Sequence, residues 1–187
     1  MENENWSGSY FVDIRKKMWT RLLIEEVIPD LLRQGFNGLM LDTIDNPIYL
    51  ATQGAKYKGM DKAAIKLVKA IRHHYPDIHI MLNRGFEILP DVAKSLDSVL
   101  AESTFTTYNF ANKKAEKLTP VQRDYYFTAL EKATKENKGL QVYSLDYWDP
   151  EDLITIRSIY DFQKAYGHVP YVSTIELNKV FKHEAGE

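Results

Sequence analysis

Several short apolar runs in this sequence end in polar groups. Leu39-Met40-Leu41 leads to Asp42 and Asp45, residues 78–82 to Asn83 and Arg84, Val99-Leu100-Ala101 to Glu102, and residues 140–145 to Asp146 and Tyr147. Two weaker runs end in Asp13 and Arg15, and in Ser173 and Thr174. A short apolar run bounded by turn residues reads as a strand buried on both faces, the kind that parallel sheets contain. At the C-terminal ends of such strands the side chains leave the core and point into the crevice where α/β folds carry out chemistry. A carboxylate there is costly to desolvate and needs a reason. Glycosidic bond hydrolysis supplies one: two carboxyl groups flank the scissile bond, one protonating the leaving oxygen, the other attacking or activating water. Asp42 and Glu102 lie two strands apart in chain order and can face each other across a barrel mouth, with Asn83 on the strand between.

Each residue also has a structural reading. Asp42 can cap the loop that follows it through Asx-type hydrogen bonds. Asp45 opens Asp-Asn-Pro, a turn signal, which favours a structural role. Glu102 is harder to explain that way, because glutamate is a poor turn residue and has little local work directly after Val-Leu-Ala. Asp146 reads equally as a ligand-binding group and as a partner for Arg84. Asp149 reads as a helix N-cap before Pro150, and Arg15 as a partner of a rim carboxylate. Clustered carboxylates can also hold a divalent cation, but there is no HExxH, and His73, His74, His79 and His168 fall away from the predicted rim. No metal and no cofactor is expected.

The elements that must position these groups follow from periodicity. Strands are expected at 9–14, 39–41, 78–82, 98–101, 140–145 and 169–172, and helices at 16–34, 61–74, 89–96, 120–136 and 151–166. Pro29 should bend the first helix. Asp61 is the expected N-cap of the second, Gly139 the C-cap of the fourth and Gly167 that of the fifth. Residues 46–59 and 103–118 read as polar loops. Six strands alternating with helices imply repeated βα units and a parallel sheet.

At 187 residues the chain reads as one domain, 1–187, long enough to bury a core. A net charge of -2 gives no electrostatic case for nucleic acid or an anionic membrane. The absence of cysteine excludes disulfides and thiolate metal sites. No apolar run reaches the roughly 18 residues of a membrane span, and the polar start is not a signal peptide. There is no GxGxxG and no P-loop, which counts against nucleotide binding.

With these residues in view, the chain resembles glycoside hydrolase family 114, the endo-α-1,4-polygalactosaminidase-like barrels. Residues 35–45, GFNGLMLDTID, resemble that family's fourth-strand motif, Met81-Leu82-Asn83 its fifth strand, Ala101-Glu102 its sixth and residues 142–150 its seventh, while residues 5–10 resemble the segment before its third. The resemblance implies a (β/α)₈ TIM-barrel fold, here a partial barrel of about six βα units, with two units that should precede residue 1. It implies a polysaccharide substrate containing α-1,4-linked galactosamine, with Asp42 as nucleophile and Glu102 as acid/base in a retaining scheme, carboxyls about 5 Å apart. Asp45, Asn83, Tyr108, Asp146, Tyr147 and Trp148 are the candidate substrate-binding residues. The open barrel edges would need a cover, such as a second copy of the chain. Family members are commonly exported, which implies an extracellular or periplasmic protein. The alternative is a non-catalytic carbohydrate-binding or assembly protein derived from the same barrel, suggested by the aromatic-rich loops around Tyr108, Phe110, Tyr147 and Trp148.

Overall fold

The computed structural model describes residue 2 and residues 8–182. Its centre is a parallel sheet of five strands, β1 (Gly38–Leu41), β2 (His79–Asn83), β3 (Ser98–Glu102), β6 (Gln141–Tyr147) and β7 (Val169–Ser173), in the order β1-β2-β3-β6-β7. Between β3 and β6 a two-stranded antiparallel hairpin intervenes, β4 (Thr106–Asn109) and β5 (Lys114–Lys117).

One face of the sheet is covered by helices. Ile80 and Leu82, Val99 and Ala101, and Val142 point toward them and pack with Ala64, Leu67, Val68 and Ile71 of α4 (Met60–His74), with α5 (Leu89–Val92), and with Leu130 and Ala133 of α6 (Pro120–Glu136). A smaller cluster joins Val172 of β7 to Phe105 and to Ile156 and Ile159 of α7 (Leu153–Ala165). These positions alternate along each strand, as the pleat requires, and recur at three and four residues along each helix. The opposite face carries Met40, Met81, Leu100, Tyr143 and Val169, and Met40 is 53% and Val169 47% exposed. Asp42, Asn83, Glu102 and Tyr147 share the parity of that second face. Strand alternation and parallel direction therefore bring them to one rim.

The register advances along the rim. Leu41 pairs with Leu82, so Asp42 and Asn83 are level, but Asn83 pairs with Leu100 and Glu102 with Leu145. Glu102 and Tyr147 thus each stand two residues beyond their neighbour's partner, while Tyr147 and Ser173 are level again. This stagger tilts and curls the sheet.

Several expected elements differ. Residues 9–14 are not a strand of the sheet: among the described residues the pairing there is an isolated bridge between Tyr10 and Glu2, and the segment runs beside β1, lining a cavity with Met40 and Leu41. The sheet therefore has five strands, not six. The first helix is α1 (Lys17–Leu22), a π-helical stretch (Leu23–Val27) and α2 (Ile28–Arg33). The wide turn lies just ahead of Pro29, whose ring cannot donate to the preceding turn. The polar stretch after β1 holds α3 (Asp45–Thr52), with Pro47 in its first turn, where a missing N–H costs nothing. Gly59, in a left-handed conformation, rather than Asp61, precedes α4. Thr119 and Gln122 form a reciprocal capping box at the start of α6. That helix ends at Asn137, not Gly139: the Asn137 amide donates to the carbonyls of Ala93 and Leu96 while its Oδ1 accepts from Gly139 N–H. Asp152, not Asp149, caps α7 by accepting from Thr155 N–H. No helix among the described residues is long and apolar enough to cross a membrane.

Candidate active site

Each of three adjacent strands ends in a polar residue followed by one in the left-handed region: Asp42 then Thr43 (φ 56°), Asn83 then Arg84 (φ 57°), Glu102 then Ser103 (φ 57°). None of the three followers is glycine, so each costs on the order of 1–3 kcal/mol of backbone strain. In the last two cases the strained residue extends the sheet by one bond, Arg84 N–H to Leu100 O at 3.0 Å and Ser103 N–H to Leu145 O at 2.8 Å. Thr43 N–H instead donates to Asp42 Oδ1 at 2.8 Å. The turns stop the strands abruptly and leave the preceding side chain at the rim.

There the side chains form a chain of hydrogen bonds. The Asn83 amide nitrogen donates to Asp42 Oδ1 and to Glu102 Oε2, each at 2.9 Å. The Tyr147 hydroxyl donates to Glu102 Oε1 at 2.5 Å. Because both carboxyls bond to the two protons of one nitrogen, roughly 120° apart, their bonded oxygens lie about 5 Å from each other. Asn83 and Tyr147 are buried, 8% and 4% exposed, while Asp42 is exposed and Glu102 half-buried. The pair is thus gripped from below and open above. Asp42 Oδ2 carries no hydrogen bond among the described residues.

Arg84 is the nearby cation. Its guanidinium donates to the Glu102 backbone carbonyl at 2.8 Å, stands 3.5 Å from Asp45 Oδ2 and lies over the rings of Phe86 and Tyr126. Burial pushes the Asp45 carboxyl up from its ordinary range, an effect that Arg84 opposes and the charges of Asp42 and Glu87 reinforce. Burial, followed by the bond to Glu102, pushes the Tyr147 phenol well above its ordinary value, so it stays protonated.

Asp146 is not at this rim. It is fully buried on the helix-covered face, where Oδ1 accepts from Phe105 N–H and Thr106 N–H and Oδ2 from Gln163. It ties the base of the hairpin to β6 and α7, so it neither lines the site nor partners Arg84. Arg15 pairs with Asp13 through two bonds of 2.8 and 2.9 Å and also holds the carbonyls of Lys56 and Lys58. Among the described residues no group of three histidine, aspartate or glutamate side chains is arranged to hold a metal ion.

Two cavities flank the pair. One of about 410 Å³ lies at the β1 edge, between Asp42, Thr43 and the segment containing Tyr10 and Phe11. The other, about 570 Å³, lies on the hairpin side and is lined by Tyr108, Lys114, Tyr147, Trp148, Asp149 and Glu176. Trp148 is fixed there by donating from Nε1 to Asp152 at 3.0 Å, and Tyr108 stands edge-on to Phe110. A larger groove of about 920 Å³ between α1 and α4 contains none of Asp42, Asn83, Glu102 and Tyr147. Of the predicted residues, the structure joins Asp42, Asn83, Glu102 and Tyr147, sets Asp45 beside them, groups Tyr108 and Trp148 next door and removes Asp146. The strained turns after the strands and the role of Arg84 in backing Glu102 had no signal in the sequence, since Thr, Arg and Ser do not announce a left-handed conformation.

The sequence matches the model of glycoside-hydrolase family GH114 over residues 1–187. It is 26% identical to an uncharacterised protein of Thermotoga maritima, an alignment covering 94% of this chain and 56% of that protein, so the chain spans little more than half of that relative. Among solved structures it is similar to the glycoside hydrolase domain of PelA from Pseudomonas aeruginosa, with 26% identity and a TM-score of 0.75, over 90% of this chain and 65% of that one. A variant of the same domain with a glutamate replaced by alanine shares the fold, with a TM-score of 0.76 at 24% identity, over 96% of this chain and 70% of that one.

Proposed function

The chain belongs to glycoside hydrolase family 114, and we propose that it carries the catalytic carboxyl pair of a retaining glycosidase acting on α-1,4-linked galactosamine-containing polysaccharide. The observation that carries this reading is the pair itself: Asp42 and Glu102 on one amide, about 5 Å apart, at the open rim of a parallel sheet. Retaining glycosidases hold their carboxyls at about 5–5.5 Å, whereas inverting enzymes need about 6.5–9.5 Å to admit a water. The substrate class comes from the family resemblance. So does the proposed setting, in which the sheet is an arc of a (β/α)₈ barrel in an exported protein. The stagger along the rim averages one residue per strand step, which supports that closure.

In this scheme Glu102 gives its proton to the glycosidic oxygen as the bond from the anomeric carbon breaks. The free Oδ2 of Asp42 forms the new bond to that carbon. Water, deprotonated by Glu102, then releases the sugar and restores both groups. In the same scheme Tyr108 and Trp148 stack against neighbouring sugar rings, and Asp45, beside Arg84, is the proposed partner of a sugar amine.

Asp42→Asn and Glu102→Gln in the full-length protein should each abolish release of reducing ends from an α-1,4-galactosamine oligosaccharide, with circular dichroism unchanged. Full activity in both variants would overturn the reading. A second reading, glycan binding without turnover, is favoured by the aromatic-lined cavity beside Tyr147. Saturable binding of the same oligosaccharide with no new reducing ends would support it.

A further inference from the structure

Tyr147 has both means and position to act on Glu102. It is 4% exposed, its phenol stays protonated, and its oxygen is 2.5 Å from Glu102 Oε1. Asn83 occupies the other oxygen, Oε2. Glu102 is therefore held at both ends by neutral donors, and its carboxyl plane is set by the line between them.

The phenol is itself held from behind. Tyr147 N–H donates to Thr106 Oγ1 at 3.1 Å, and the preceding residue, Asp146, is bonded into the backbone of Phe105 and Thr106 and to Gln163. Gln163 in turn accepts from His168 at 2.8 Å. The side chains of Asp146, Gln163 and His168 all lie on the helix-covered side. Adjacent residues on a strand point to opposite faces, so the buried bonds around Asp146 fix the strand end from which Tyr147 projects to the rim.

We propose that Tyr147 is a positioning residue that stabilises the negative charge appearing on Glu102 during the first chemical step. This rests on the acid/base role proposed above for Glu102. When Glu102 passes its proton to the glycosidic oxygen, a neutral carboxyl becomes a carboxylate, and a neutral–neutral hydrogen bond becomes a charge-assisted one. The bond strengthens as the barrier is climbed, so it lowers the barrier rather than tightening ground-state binding. Were Glu102 the attacking group, its charge would fall in that step and the same phenol would oppose the reaction. The Tyr147 hydroxyl proton is committed to Glu102, so its proposed role is not that of a donor to the sugar.

The test is Tyr147→Phe in the full-length protein, which keeps the ring and removes only the hydroxyl. With an α-1,4-galactosamine oligosaccharide, kcat should fall about 10- to 100-fold with KM within about twofold. An unchanged or higher kcat, or a loss confined to KM, would overturn the proposal. A second readout does not need turnover. Amidation of Glu102 by a water-soluble carbodiimide and glycine ethyl ester, followed by peptide mass spectrometry, should rise several-fold in Tyr147→Phe while labelling of Asp42 stays constant. Equal labelling of Glu102 in both proteins would show that the phenol does not hold it. A wild-type protein without turnover would defeat the glycosidase reading and with it the proposed charge stabilisation; the labelling result would still decide whether Tyr147 positions Glu102.

Discussion

Asp42 and Glu102, sixty positions apart in the chain, accept the two protons of a single amide group, that of Asn83. The bridge sets their separation and leaves Asn83 Oδ1 buried with no hydrogen-bond partner among the described residues. A buried acceptor without a bond costs about 1–3 kcal/mol, which the native protein tolerates at this position. Asn83→Ala removes both the bridge and the orphaned oxygen. It should lower kcat by about 100-fold or more, because the two carboxyls lose their common anchor, while the thermal midpoint changes little. A steady-state assay paired with a melting curve checks this.

Gly38 fixes how closely β1 approaches β2. A Cβ at that position would lie 2.8 Å from the His79 carbonyl oxygen and 2.9 Å from His79 Cβ, and the first of these is backbone that cannot rotate away. Gly38→Ala should therefore push β1 outward and destabilise the protein by about 1–3 kcal/mol. Because β1 carries Asp42, kcat should fall as well. Chemical denaturation and a rate assay on the same preparation measure both.

His168 supplies a pH dependence of known sign. Burial pushes its imidazole down from 6.5 to about 4, and it sits neutral against Phe127, bonded to Gln163. A base with a depressed folded value contributes stability that is complete above about pH 6.5 and is lost as pH falls toward about 4, by up to roughly 3 kcal/mol. Asp146, pushed up by burial, works with the opposite sign: folding takes up its proton as pH falls. Urea unfolding between pH 7.5 and 4.5 should show stability falling with acid, and His168→Asn, which cannot take up the proton, should flatten that slope.

The rim was legible because parallel strands impose a simple rule. Asp42, Asn83, Glu102 and Tyr147 each follow a short apolar run, and strand parity plus direction suffices to gather them. Asp146 shows the limit of the rule. It stands next to Tyr147 in sequence, but parity sends it to the other face, and its partners come from residues 105–106 and 163, which no local pattern connects. The β4–β5 hairpin was hidden because only Tyr108 and Ala115 give it an apolar side, too little for a period-two signal. Helix α3 was hidden because Asp45-Asn46-Pro47 serves equally as a turn and as a helix start. Residues 9–14 read as a strand, but among the described residues they join no sheet beyond the isolated bridge of Tyr10 to Glu2, and the sheet, not the segment, decides whether such a run becomes a strand.

The separation of Asp42 and Glu102 predicts a stereochemical outcome. Proton NMR of an α-1,4-galactosamine oligosaccharide during cleavage by the full-length protein reads the anomeric signal of each new reducing end before it mutarotates. A pair about 5 Å apart predicts that the α anomer appears first and the β anomer grows in later. A β anomer formed first would mean that water attacks directly across a wider gap, and would contradict the arrangement of Asp42, Asn83 and Glu102 as a nucleophile and an acid/base sharing one amide.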